Sequence, residues 1–127
     1  MTTLLTCLLL AMLLPYLAKG PVAVAMEKLG GYDNHQPRAQ QAQLTGFGAR
    51  AVAGHQNAFE SLLIFGLSVL CVIALDKVND TVALLAVGHI IARVAYHILY
   101  LLDKSTLRSL SWFVATGCSF AIFAQAF

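Results

Sequence analysis

Apolar residues run in four long blocks along this chain, and polar residues gather between them. The blocks occupy residues 1–26, 51–75, 81–102 and 109–127. Each approaches the roughly 20 mainly apolar residues that carry a helix across a bilayer. A helix pairs its backbone groups within its own segment, which hydrocarbon surroundings demand. The pattern predicts an all-α integral membrane four-helix bundle, a single four-span domain over residues 1–127. The first block has no Lys or Arg ahead of its apolar run, unlike a signal peptide, and reads as a retained span that Pro15 is expected to kink. Residues 27–50 form the one long connection. It opens on turn formers (Gly30, Gly31, Asp33, Asn34, Pro37) and becomes helix-friendly from Ala39, so the second helix is expected to begin in water.

Composition agrees with a membrane class. Hydrophobic residues make up 59% of the chain and charged ones 11%, where soluble domains carry about a quarter. A net charge of +2 with scattered basic residues gives no footprint for nucleic acid. Cys7, Cys71 and Cys118 sit in three different blocks without close spacing and read as small buried hydrophobes. His35, His55, His89 and His97 show no i,i+4 pairing with a carboxylate beside it, so no metal site is expected. Lys19, Lys28, Arg38 and Arg50 flank or occupy the first connection, and Lys104 and Arg108 the third, whereas the second holds Lys77 with two aspartates. The positive-inside rule then puts the first and third connections in the cytoplasm and both termini outside.

Ionisable groups within spans are costly enough to mark candidate sites. On the second helix Arg50, Asn57 and Glu60 fall within an arc of about 80°, one stripe. On the third, His89, Arg93, Tyr96 and Tyr100 fall within about 60°. Counted from the short connection between them, Glu60 and Arg93 lie at similar depths of about 20 Å. An antiparallel hairpin would make them a structural ion pair that fixes helix register. Arg50, Asn57, Tyr96, Tyr100, Arg108 and Ser109 are expected to cluster at one end of the bundle. Two arginines with amide and phenol groups suit a small polyanionic or zwitterionic ligand. The same tyrosines also suit an interfacial aromatic belt, and the arginines suit contacts to lipid phosphates.

In order along the chain, R-A-x-A-x-x-x-N-x-x-E from Arg50, R-V-A-Y-x-x-x-Y from Arg93 and L-R-S at 107–109 resemble the MAPEG family, membrane-associated proteins in eicosanoid and glutathione metabolism. NHQPRAQ followed by FGARAVAGHQNAFESL is similar to a bacterial-type branch. The resemblance covers nearly the whole chain and implies a homotrimer that binds glutathione between neighbouring subunits. It further implies that the thiolate attacks or reduces a lipophilic substrate arriving from the bilayer, as a glutathione S-transferase or peroxidase. Residue by residue it makes Asn57 and Glu60 glutathione contacts and Tyr100 the ligand-site tyrosine. Arg108 would activate the thiol with Ser109 beside it, while Arg50 and Arg93 match arginines of mainly structural role. A cation beside sulfur does stabilise the reactive thiolate. Ala53 and Gln56 depart from the pattern, since glutathione users offer further arginines on those turns, and Tyr96 stands where some relatives have histidine.

Three functions follow: a glutathione-dependent transferase or peroxidase, a non-catalytic membrane protein that binds a lipid or small thiol in the same cleft, and a small multidrug transporter. The transporter ranks last, because such proteins carry their key glutamate in the first span, where this chain has no acidic residue before Glu27.

Overall fold

A computed structural model describes all 127 residues as five helices and their connections. These are α1 (Thr2–Glu27), α2 (Pro37–Gln41), α3 (Gly46–Ala74), α4 (Asp80–Leu101) and α5 (Ser105–Ala124). All but α2 are long and apolar enough to cross a membrane, so the fold is an all-helical membrane bundle. Around the bundle α1 packs on α3, α3 on α5, α5 on α4 and α4 on α1. Although consecutive, α3 and α4 lie across the diagonal and touch little. Gly48 lets α1 and α3 approach, since a Cβ there would stand 3.1 Å from that of Ala25.

The tripeptide Leu-Asp-Lys closes both α3 and α4. Asp76 and Asp103 adopt left-handed φ of 55° and 59°. In each case the following lysine amide reaches five residues back (Lys77 N to Val72 O at 2.8 Å, Lys104 N to Leu99 O at 2.9 Å). The aspartate amide bonds inside that ring, to Ile73 O and Tyr100 O. This is a Schellman stop with Asp where Gly is usual, and it reverses the chain within a few residues. Asn79 then caps α4, its side chain accepting from Val82 N at 2.9 Å.

The long connection is folded rather than loose. Gln40 donates to the carbonyls of Gly31 (2.6 Å) and Met26 (3.3 Å) and accepts from Asp33 N (2.9 Å). Helical structure in this segment comes as α2 alone, with α3 starting separately at Gly46. The expectation of one helix running from Ala39 into the membrane is corrected: the chain turns at 42–45 after α2.

The two ends of the bundle differ in core chemistry. The end holding the termini packs Leu4, Cys7, Ala11, Phe65, Val69, Val72, Val82, Ala86 and Ile122 into one apolar cluster. The end holding the long connection has only Val22, Met26 and Ala51 as a buried apolar cluster. Outside, large side chains such as Leu5, Leu63, Leu67, Leu84, Ile91, Phe113 and Phe120 are exposed, as suits a lipid-covered surface.

Candidate functional site

The polar end is organised by α4. Spacing of three and four residues places Arg93, Tyr96 and Tyr100 on one face, and the Leu-Asp-Lys turn brings Arg108 of α5 back against it. The Arg93 guanidinium carbon lies 4.2 Å from the Tyr96 ring centroid. Tyr96 meets Tyr100 edge to face at 5.5 Å. Arg108 lies 4.4 Å above the Tyr100 ring. The four make a ladder with a guanidinium at each end. Arg93 and Tyr96 are buried, while Tyr100 and Arg108 are half-buried and accessible. A desolvated cation–π contact is worth about 2 kcal/mol and an exposed one about half that, so the buried rung anchors the exposed one.

The expected Glu60–Arg93 ion pair is absent. Arg93 instead donates to the backbone carbonyl of Asn57 at 3.2 Å, and Glu60 lies exposed on the outer surface of α3, accepting from Asn57 Nδ2 at 2.8 Å. The depth count brought Arg93 to within one turn of Glu60. The pair fails because α3 and α4 are diagonal: Arg93 crosses the bundle interior and meets the backbone of α3 at Asn57, while the Glu60 carboxylate is held by the Asn57 amide more than 4.0 Å from the guanidinium. The one ion pair within 4.0 Å joins Arg50 to Asp103 at 3.7 Å.

Arg50 also leaves the expected cluster. Its guanidinium donates to Leu101 O at 3.5 Å, and its buried Nε has no partner. With His97 and Tyr100 it lines an apolar cavity between α1, α3 and α4. Asn57 keeps a buried Oδ1 without a partner and borders, with Glu60, a narrow groove against Trp112, Thr116 and Ser119 of α5. Ser109 is half-buried beside Arg108. The six expected residues are thus spread over three connected places. Tyr96, Tyr100 and Arg108 share the ladder, Asn57 touches it through Arg93, and Arg50 joins it only through the cavity that Tyr100 lines.

A third recess lies between α2 and α3, lined by Arg38, Gln41, His55, Gln56 and Phe59 with a volume of about 400 Å³. Gln56 stands on the α3 side of it, and α2 delivers Arg38 to the same recess. His55 Nδ1 is 2.8 Å from Pro15 O. A carbonyl only accepts, so Nδ1 donates in this contact. Neither His55 nor His97 stood out in the sequence, because neither falls on the polar stripes. The one buried histidine, His89, fastens α4 to α5 through Ala115 O and Ser119 Oγ, each at 3.0 Å, and stacks on Phe65.

The MAPEG family model matches residues 3–127, essentially the whole chain. No curated protein and no solved structure matches it.

Proposed function

Since the chain belongs to the MAPEG family, we propose that it is a membrane enzyme that uses glutathione to conjugate or reduce lipophilic electrophiles. The observation that carries this reading is the ladder that ends in an accessible Arg108 held over Tyr100. Glutathione carries two carboxylates, an ammonium group and a thiol. The residues fit those groups: Arg108 and Arg38 for anions, exposed Glu60 for a cation, and half-buried Asn57 beside it for a hydrogen bond. Bound there, glutathione would supply the nucleophilic sulfur.

The chain's own contribution is electrostatic. Arg108 stabilises negative charge on a neighbouring sulfur and so favours thiolate over thiol. Tyr100 fixes the guanidinium in direction, and buried Arg93 fixes Tyr96 beneath it. Ser109, next to Arg108, supplies a hydroxyl that can donate to the same charge. The apolar outer surface admits a lipophilic partner from the bilayer without passage through water.

A homotrimer accompanies this reading. Gln56 and Glu60 are exposed on the outside of a spanning helix, an expensive position in lipid, and a second copy packed on this stripe relieves it. The recess of Arg38 and Gln56 on one copy would then face the ladder of the next. The basic residues of the 27–50 connection support a cytoplasmic position for this end.

Assay of the purified protein for conjugation of a generic electrophile with glutathione, beside Arg108→Ala, tests the proposal. Activity that the substitution removes is expected. Equal rates in both proteins, or none in either, contradict it. A non-catalytic binder remains the second reading, favoured by Ala53 and Gln56. It requires stabilisation by a lipid or small thiol without turnover, which thermal-shift titration measures.

A further inference from the structure

The short helix α2 is held to the bundle by one polar side chain. Of its five residues only Gln40 is buried, so α2 buries no apolar side chain against its neighbours. A helix this short does not persist by itself, since isolated helices need about 12 residues or more. Upstream the chain turns at Gly30 and Gly31, both at positive φ (102° and 110°), and no atom lies within 4 Å of an added Cβ at either. Packing therefore does not fix that end. Downstream, Leu44 secures the following turn against Val22, Met26 and Ala51. The placement of α2 itself is left to Gln40.

Gln40 engages both halves of its amide. Nε2 donates to Met26 O, on α1, and to Gly31 O, while Oε1 accepts from Asp33 N. A glutamate here would lack the two donors, and a leucine would lack all three groups. Asp33, held in this way, accepts with its carboxylate from the amides of His35 (2.8 Å) and Gln36 (3.2 Å), and Gln36 is the residue on which α2 starts. At 100° per residue, Arg38 lies about 160° around α2 from Gln40, and Gln41 about 60° from Arg38. With Gln40 turned to α1, Arg38 and Gln41 line the recess shared with His55, Gln56 and Phe59 of α3.

We propose that Gln40 is a positioning residue for glutathione capture: by fastening α2 to the end of α1, it holds Arg38 in the recess, ready for a carboxylate. This rests on the reading of the chain as a glutathione user. Gln40 touches no ligand and acts through Arg38 alone. An arginine already in place pays less ordering entropy when it binds. That gain is the same in the ground state and the transition state, so it lowers KM and leaves kcat where it is.

Steady-state kinetics of the full protein with glutathione and chlorodinitrobenzene test this on the unmodified chain, Gln40→Ala, Arg38→Ala and the double variant. KM for glutathione should rise about tenfold in each single variant, the weight of one hydrogen bond to a charged group. In both, kcat should stay within about twofold of the unmodified value. The double variant should match Arg38→Ala, because the two residues act as one unit. Gln40→Glu keeps the size and the acceptor but not the donors; it should raise KM alike and serves if Gln40→Ala fails to fold. A merely structural role would instead lower kcat by loss of folded enzyme and leave KM alone. That result, an unchanged KM in Arg38→Ala or in a folded Gln40 variant, or multiplied effects in the double variant overturns the proposal and leaves glutathione use standing. Absence of glutathione-dependent turnover in the unmodified chain overturns that reading and this proposal with it.

Discussion

The two ends of this bundle are built by the same four helices and obey different rules. Near the termini Phe65, Val69, Val72, Val82 and Ile122 close on one another, and buried His89 beside them is satisfied by Ala115 and Ser119. Toward the long connection the helices hold arginines and tyrosines apart by stacking, and buried polar atoms on Arg50, Asn57 and His97 go unpartnered. One end supplies stability by packing, the main force between helices in lipid. The other keeps Tyr100, Arg108 and Glu60 accessible to a ligand or a second copy, a pattern expected of a site that binds something.

Substitutions that exchange the roles of the two ends should show this most clearly. Phe65→Ala, at the packed end, should cost about 3 kcal/mol or more by leaving a cavity. Thermal unfolding of the solubilised protein reads it, with glutathione binding per folded molecule unchanged. Arg108→Ala should do the converse. Conjugation should fall about 100-fold, the usual cost of one preorganised donor, while stability falls by no more than about 1 kcal/mol, the worth of the exposed stacking contact on Tyr100.

A smaller effect separates the observed packing from the hairpin pairing that depth suggests. Glu60→Gln should change stability by less than about 1.5 kcal/mol because no ion pair is broken, and Arg93→Met should cost about 2 kcal/mol through its lost contact with Tyr96. A loss of about 3 kcal/mol or more in both would reinstate the pair. Arg93→Met should still weaken glutathione binding several-fold, since Tyr96 loses its anchor.

The smallest effect lies in the turns. Asp76→Gly should stabilise by about 0.5–1 kcal/mol, because glycine adopts the left-handed conformation without a Cβ penalty. Asp103→Gly has the same backbone gain but frees Arg50 from its carboxylate, an exposed pair worth at most about 1 kcal/mol. It should come out near zero. Equal gains at the two positions would show that the Arg50 contact contributes nothing.

Much of this was legible in the sequence. Hydrophobic blocks alone gave the four helices, and the 93, 96, 100 spacing gave the ladder, because helical period fixes which residues share a face. Depth correctly put Arg93 near the 57–60 turn. What failed was partner choice, since periodicity along a helix says nothing about which helices are diagonal. The left-handed aspartates carried no glycine to announce them. The Gln40 brace and the His55–Pro15 contact depend on residues 9 to 40 positions apart, beyond any local pattern.

The central claim is that the end built on the Arg93–Tyr96–Tyr100–Arg108 ladder is where glutathione binds. A cryo-electron microscopy map of the reconstituted protein with millimolar glutathione tests it most directly. Density is predicted between Asn57, Tyr100 and Arg108, close to the Arg38 recess of an adjoining copy. A well-resolved map with that space empty, or with glutathione held elsewhere, would contradict the account.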